Sequence, residues 1–183
     1  PHDCHEDNRH NKKLLTHKEK EVRSEVLFII SNIAGGTVNQ IEVLMGSGIL
    51  GIVAKMFAGG EFEIRKDIVF AISNATRQKN LRIVHAIVEL GFMESLVSSL
   101  ESSDIPMLSV ALEAISNIMA VDPGSKYKCL LEKLSGATKI EKLSSHPVED
   151  VYSIAREIME VHFGVVNDSD IVRLENEYSD FQE

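Results

Sequence analysis

Two sets of residues on this chain combine a carboxylate, an aromatic ring and a carboxamide at helical spacing. Glu25, Phe28 and Asn32 form one, and Asp67, Phe70 and Asn74 form the other. Positions i, i+3 and i+7 share one face of an α-helix, so each trio would line up along a single ridge. Ser31 and Ser73 stand beside the carboxamides. These types suit the capture of an extended, lysine-rich peptide. An Asn carboxamide both donates and accepts, so it can bond the N–H and C=O of a ligand backbone whatever the ligand's sequence. An aromatic face attracts a Lys or Arg head and packs on its methylene stem, indole best and phenyl more weakly. The carboxylates of Glu25 and Asp67 then supply counter-charge for ammonium groups. A structural reading of the same residues stands beside this one: a repeated Asn can bond neighbouring backbone and fix register, and Phe at helical spacing can be core.

Such a ridge needs a helix to carry it, and the sequence provides one three times. Phe28 to Asn32 reads Phe-Ile-Ile-Ser-Asn, Phe70 to Asn74 reads Phe-Ala-Ile-Ser-Asn, and Glu113 to Asn117 reads Glu-Ala-Ile-Ser-Asn. Asn32 and Asn74 lie 42 positions apart, and Asn74 and Asn117 lie 43 apart. A period of about 40–47 residues is that of helical armadillo or HEAT repeats, whose units bury their apolar faces on one another. Val22, Val26, Ile29, Ile30 and Ile33 recur as Ile64, Ile68, Ala71, Ile72 and Ala75, then as Met107, Ala111, Ala114, Ile115 and Ile118. Offsets of four, seven, eight and eleven mark one helical face, here the expected core. In the third copy Glu113 replaces the Phe and Val110 the acid, so Glu113 and Asn117 form the fading end of the ladder.

Glycine and proline breaks then divide the chain into three-helix units. Long helices are expected near 21–34, 62–76 and 105–120, second helices near 38–45, 81–90 and 126–134, and third helices near 49–57, 92–100 and 137–143. A fourth long helix at 148–163 keeps the core spacing with Val151, Ala155, Ile158, Met159 and His162, but has Val161 at the Asn position. The expected fold is all-α, a solenoid of about four repeats over 13–163. A polar N-terminal edge, expected to be disordered, occupies 1–12, and an acidic tail occupies 164–183.

Composition narrows the chemistry. With 28 acidic and 19 basic residues the net charge is −9, which repels nucleic acid and anionic membranes and draws basic ligands. No apolar run approaches the ~20 residues of a membrane-spanning helix. Cys4 and Cys129 sit far apart, which suits a reducing compartment, and Cys129 is expected as a small core residue. His2, Asp3, Cys4, His5, Glu6, Asp7 and His10 could ligate zinc, but their spacing matches no common finger. His85, His146 and His162 are scattered with no Ser or Cys at catalytic spacing, and Gly59-Gly60 lacks the Lys-Ser/Thr of a phosphate loop. The expectation is therefore a binding protein, not an enzyme, with no cofactor and no metal.

These residues also resemble a known family. Arg23-Ser24-Glu25-Val26-Leu27-Phe28 through Asn32-Ile33-Ala34-Gly35-Gly36, and Arg65-Lys66-Asp67-Ile68-Val69-Phe70 through Asn74-Ala75-Thr76, are similar to the Lys-Glu-Ala-x-Trp-x-x-x-Asn pattern of importin alpha (karyopherin alpha), with Phe for Trp. Leu112 to Ile118 resembles that family's following repeat, and Ile140 to Leu143 with Glu149 to Tyr152 its final one. The resemblance implies a right-handed superhelical armadillo solenoid, the last four repeats or so of a longer array, in an adaptor that shuttles between cytoplasm and nucleus. It places Glu25, Phe28, Ser31, Asn32, Asp67, Phe70, Ser73 and Asn74 in a minor groove for basic nuclear-localisation signals of cargo. It also implies importin beta as a partner through a segment absent here, and an export receptor and a nuclear-pore protein at the final repeat, 139–163. Two other readings fit the same residues: an armadillo scaffold with other partners, and an array whose Asn ladder serves register alone. Lys- and Arg-lined grooves mark scaffolds for acidic partners, whereas these ridges carry Glu25, Asp67 and Glu113.

Overall fold

Short-range signals start and stop most of the helices. The computed structural model describes residues 12–165, so the N-terminal edge with its His/Cys cluster and nearly all of the acidic tail lie outside the described residues. The helices are α1 (Lys20–Ala34), α2 (Val38–Gly46), α3 (Ile49–Gly59), α4 (Phe62–Thr76), α5 (Leu81–Glu89), α6 (Phe92–Ser99), α7 (Ile105–Met119), α8 (Lys126–Lys133), α9 (Gly136–Leu143) and α10 (Glu149–Phe163). Thr37 and Gln40 close a reciprocal capping box on α2, and the Asn80 carboxamide accepts from Arg82 and Ile83 N–H to cap α5. Asp104 caps α7 through Met107 N–H, with Pro106 in the first turn. Between the second and third helices of each unit the chain reverses through a left-handed residue. Gly48 and Gly91 take it at φ 73° and 84°, and Ser135 takes the same role at φ 59°.

The long helices α1, α4, α7 and α10 pack side by side, each on the next, with two short helices inserted between successive members. This is the expected three-helix stack. Ile64, Ile68, Ala71, Ile72 and Ala75 are buried, as are Met107, Ala111, Ala114, Ile115 and Ile118, and Val151, Ala155, Ile158 and Met159. The apolar face is wider than the sequence stripe. Leu27, Val69 and Leu112, one position beyond Val26, Ile68 and Ala111, are also buried, because a long helix packs on its own short helices as well as on the next long one. Two expectations need correction. Ile29 is 51% exposed, because α1 has no long helix on that flank among the described residues. Cys129 is exposed rather than core, since Tyr127 and Leu131 take the buried side of α8. No single helix among the described residues is long and apolar enough to cross a membrane.

Charge pairs strap the units at matching places. The Arg23 guanidinium meets the Glu61 carboxylate at 3.3 Å, and Lys66 Nζ meets the Asp104 carboxylate at 2.8 Å. Glu61 and Asp104 are the N-cap residues of successive long helices, α4 and α7. On the second helices Arg82 meets Glu42 at 3.5 Å and Lys126 meets Glu89 at 3.1 Å. At the third helices Lys139 of α9 meets Glu101, two residues past the end of α6, at 3.2 Å.

Asp104 both caps and straps, and its Lys66 and Met107 partners hold its carboxyl below the usual 3.8. A carboxyl whose pKa is depressed by folding stabilises above the unfolded value and loses that contribution as pH falls through the folded one. Asp104→Ala should cost about 1 kcal/mol at pH 7, and the gap from wild type should close as pH falls below 3.8. Urea unfolding followed by circular dichroism at both pH values measures this.

Candidate functional site

The two predicted ridges fold as helix faces, but they are not alike. On α1, Glu25 and Asn32 are exposed and Phe28 is 64% exposed, so carboxylate, ring and carboxamide all reach solvent. Among the described residues nothing is bonded to the Asn32 side chain.

On α4 the same residue types turn partly towards α1. Asn74 Nδ2 donates to Ser31 Oγ at 2.9 Å and to the Ser31 carbonyl at 3.2 Å. This leaves the Asn74 Oδ1 to accept from elsewhere. Burial raises the Asp67 carboxyl above its ordinary value; a hydrogen bond with the Ser24 side chain lowers it, Glu63 raises it and Lys66 lowers it. Phe70 is half-buried. Ser73 is buried, and its carbonyl accepts from Thr76 Oγ1 at 2.8 Å, so its hydroxyl is no part of an open face. Gln78 Nε2 continues the seam to the Gly36 carbonyl at 3.2 Å.

The two carboxamides therefore differ: Asn32 is exposed and unbonded among the described residues, whereas Asn74 already bonds the preceding long helix. The helical spacing was sufficient to find the ridges. Ser24 and Ser31 as partners of Asp67 and Asn74 came from a neighbouring unit, and only their recurrence one position before Glu25 and Asn32 hinted at them.

The third copy continues the ladder with an exposed Glu113 and a half-buried Asn117 on α7. On α10, Val161 at the Asn position is 68% exposed, which ends the carboxamide series. The outward face of α10 carries Glu149, Asp150, Arg156, Glu157 and Glu160, all exposed. Arg156 lies over the Tyr152 ring at 5.1 Å and donates through Nε to the Ser144 carbonyl at 3.0 Å. Lys128 lies over the Phe163 ring at 4.9 Å, and burial lowers the pKa of the adjacent His162.

The separation of roles has a direct consequence for stability. Asn74→Ala should destabilise the array by about 1 kcal/mol, because the seam loses its donor, while Asn32→Ala should stay within about 0.5 kcal/mol of wild type. Chemical denaturation of the two variants distinguishes them.

Comparison with known proteins adds to this geometry. A family model described as an atypical Arm repeat matches residues 125–177. The chain is 30% identical over 170 residues to importin subunit alpha-4 of Arabidopsis thaliana, covering 87% of this chain and 32% of that protein. It is 27% identical over 143 residues to importin subunit alpha-1 of Caenorhabditis elegans, covering 74% of this chain and 27% of that protein. The chain thus spans about a third of the length of the relatives it matches. Among solved structures it superposes on a designed armadillo repeat protein in complex with the peptide (KR)4, with a TM-score of 0.73 and 30% identity, over 82% of this chain and 62% of that one.

Proposed function

We propose that this chain, an array of armadillo repeats of the importin alpha type, receives extended basic peptides along the ladder from Asn32 past Asn74 towards Asn117. The protein it belongs to would then serve as an adaptor for nuclear import. The observation that carries the reading is the open ridge of Glu25, Phe28 and Asn32, which offers acid, ring and unbonded carboxamide on one helix face. A designed relative that holds alternating Lys and Arg supports the same ligand chemistry. On this reading Phe28 and Phe70 flank the ligand's aliphatic stems, Asn32 and the Oδ1 of Asn74 bond its backbone, and Glu25, Asp67 and Glu113 receive its cations. Ser31 contributes by orienting Asn74, and the buried Ser73 by packing.

The chain would act by binding alone. The repeats at 13–163 form the receptor, the tail at 164–183 is a separate acidic segment, and the protein moves between cytoplasm and nucleus with cargo signals as ligands. The outward face of α10 is the docking surface for an export receptor and a nuclear-pore protein. The register reading retains one specific support, the Asn74–Ser31 bonds, and applies to that residue.

A lysine-rich signal peptide should bind more weakly as salt rises, since exposed ion pairs are screened over about 8–10 Å. Glu25→Gln should flatten that dependence and Asn32→Ala should weaken binding at every salt concentration. Phe28→Trp should tighten it by about 0.5–1 kcal/mol. Fluorescence anisotropy across ionic strength tests the set, and salt-independent affinity in the wild type would sink the basic-ligand reading. Reversing Glu157 to Lys should impair capture by an export receptor in a pull-down while leaving peptide affinity unchanged, because sites that far apart act independently.

A further inference from the structure

A second, oppositely charged site lies at the seam where α3 and α6 hand over to α4 and α7. Here a cavity of about 340 Å³ is lined by Phe57, Phe62, Arg65, Ser102, Ser103 and Met107, among others. Arg65 is the unusual member. It is half-buried, and its Nε is shut off from solvent with no hydrogen-bond partner. Among the described residues nothing bonds or pairs with any part of its guanidinium.

The equivalent arginine of the preceding unit, Arg23, meets Glu61 at the cap of α4. Arg65 is denied the matching acid, because Asp104 at the cap of α7 is taken by Lys66 at 2.8 Å. The other carboxylate on the cavity wall, Glu101, is paired with Lys139 at 3.2 Å. Only Nε is shut off. The two Nη groups have no partner among the described residues and remain accessible, so they are the donors an anion can reach. Pairing there offsets the cost of holding an unpaired guanidinium against apolar walls.

We infer that this cavity receives an oxyanion, carboxylate or phosphate, borne on an acidic side chain of a partner polypeptide. The guanidinium offers the planar fork that binds either group through paired N–H donors. Ser102 and Ser103 line the same wall; the Ser102 hydroxyl accepts from Asp104 N–H at 3.1 Å and keeps its own O–H to donate. Phe57, Phe62 and Met107 give the otherwise polar wall an apolar patch, beside Ser98, Ser99 and Glu101, on which the stem of an acidic side chain can rest. Arg65 and Asn74 are nine residues apart on α4, about 13 Å along the axis and half a turn round it. The cavity thus opens on the opposite side of α4 from the carboxamide. It would take an acidic partner without competing with a basic peptide on the ladder.

The test uses the full chain and three probes: inorganic phosphate, a phosphoserine-containing peptide and its glutamate counterpart, each against chloride at equal ionic strength. The Nε–H resonance of Arg65 in a ¹⁵N-correlated spectrum should shift on titration with at least one peptide. Arg65→Met should lose that binding by at least about tenfold, as expected for hydrogen bonds to a charged group. Arg65→Met should also unfold no more easily than wild type in chloride, because it removes an unpaired cation. The phosphoserine and glutamate arms decide which oxyanion the cavity prefers. Failure of all three probes to move the Arg65 signal, or equal binding by Arg65→Met, overturns the proposal. Neither outcome bears on lysine-rich peptide binding at Asn32.

Discussion

Everything in this molecule depends on the flank-to-flank contact of one long helix with the next. A single unit of two short helices and one long one cannot cover its own apolar face, so it is stable only against a neighbour. The buried rows Ile64 to Ala75 and Met107 to Ile118 are that contact in residue terms. Apolar burial is non-directional, and it would tolerate sliding of one helix along another. The polar bonds across the seam remove that freedom. Asn74 to Ser31, Gln78 to Gly36 and the charged straps at the helix starts each have a fixed partner one unit away.

The starts of the long helices show how a small charge imbalance propagates. Both acids at the caps are used by cations from the preceding unit, but the donor comes from a different turn position each time: Arg23 in one, Lys66 in the other. Two adjacent cations, Arg65 and Lys66, therefore compete for one acid. The shorter and more strongly hydrated ammonium takes it, and the guanidinium is left facing a cavity.

How much of this was legible in the sequence depended on distance along the chain. Helix ends were legible because Thr37, Asn80, Asp104 and the left-handed glycines act within a few residues. The Asn ladder was legible because a single phrase repeats at 42 and 43 positions. The partners of Asn74 and Asp67 were not, since a periodic pattern says that two helices meet but not which hydroxyl meets which amide. Ile29 was misplaced for a related reason: the pattern marks a face as apolar without saying whether a neighbour covers it. Cys129 was misplaced because on a helix as short as α8 two buried positions, Tyr127 and Leu131, satisfy the core and leave the residue between them outside.

If the ladder receives an extended peptide as proposed, the Asn74–Ser31 bonds would also make the array a ruler. Packed helix axes stand about 8–10 Å apart, whereas an extended strand advances about 6.8 Å for every two residues. Rungs at the axial spacing would fall out of step with a straight peptide within two units. The mismatch closes only where the superhelix curves enough to draw the carboxamides closer together than the axes behind them. On the proposed reading, curvature would be part of the recognition element, and the seam bonds would help to hold it. Pulling the solenoid straighter would release a bound strand dipeptide by dipeptide, with no side chain altered. On that reading the ladder would behave as a spring whose pitch decides how many ligand residues are read at once.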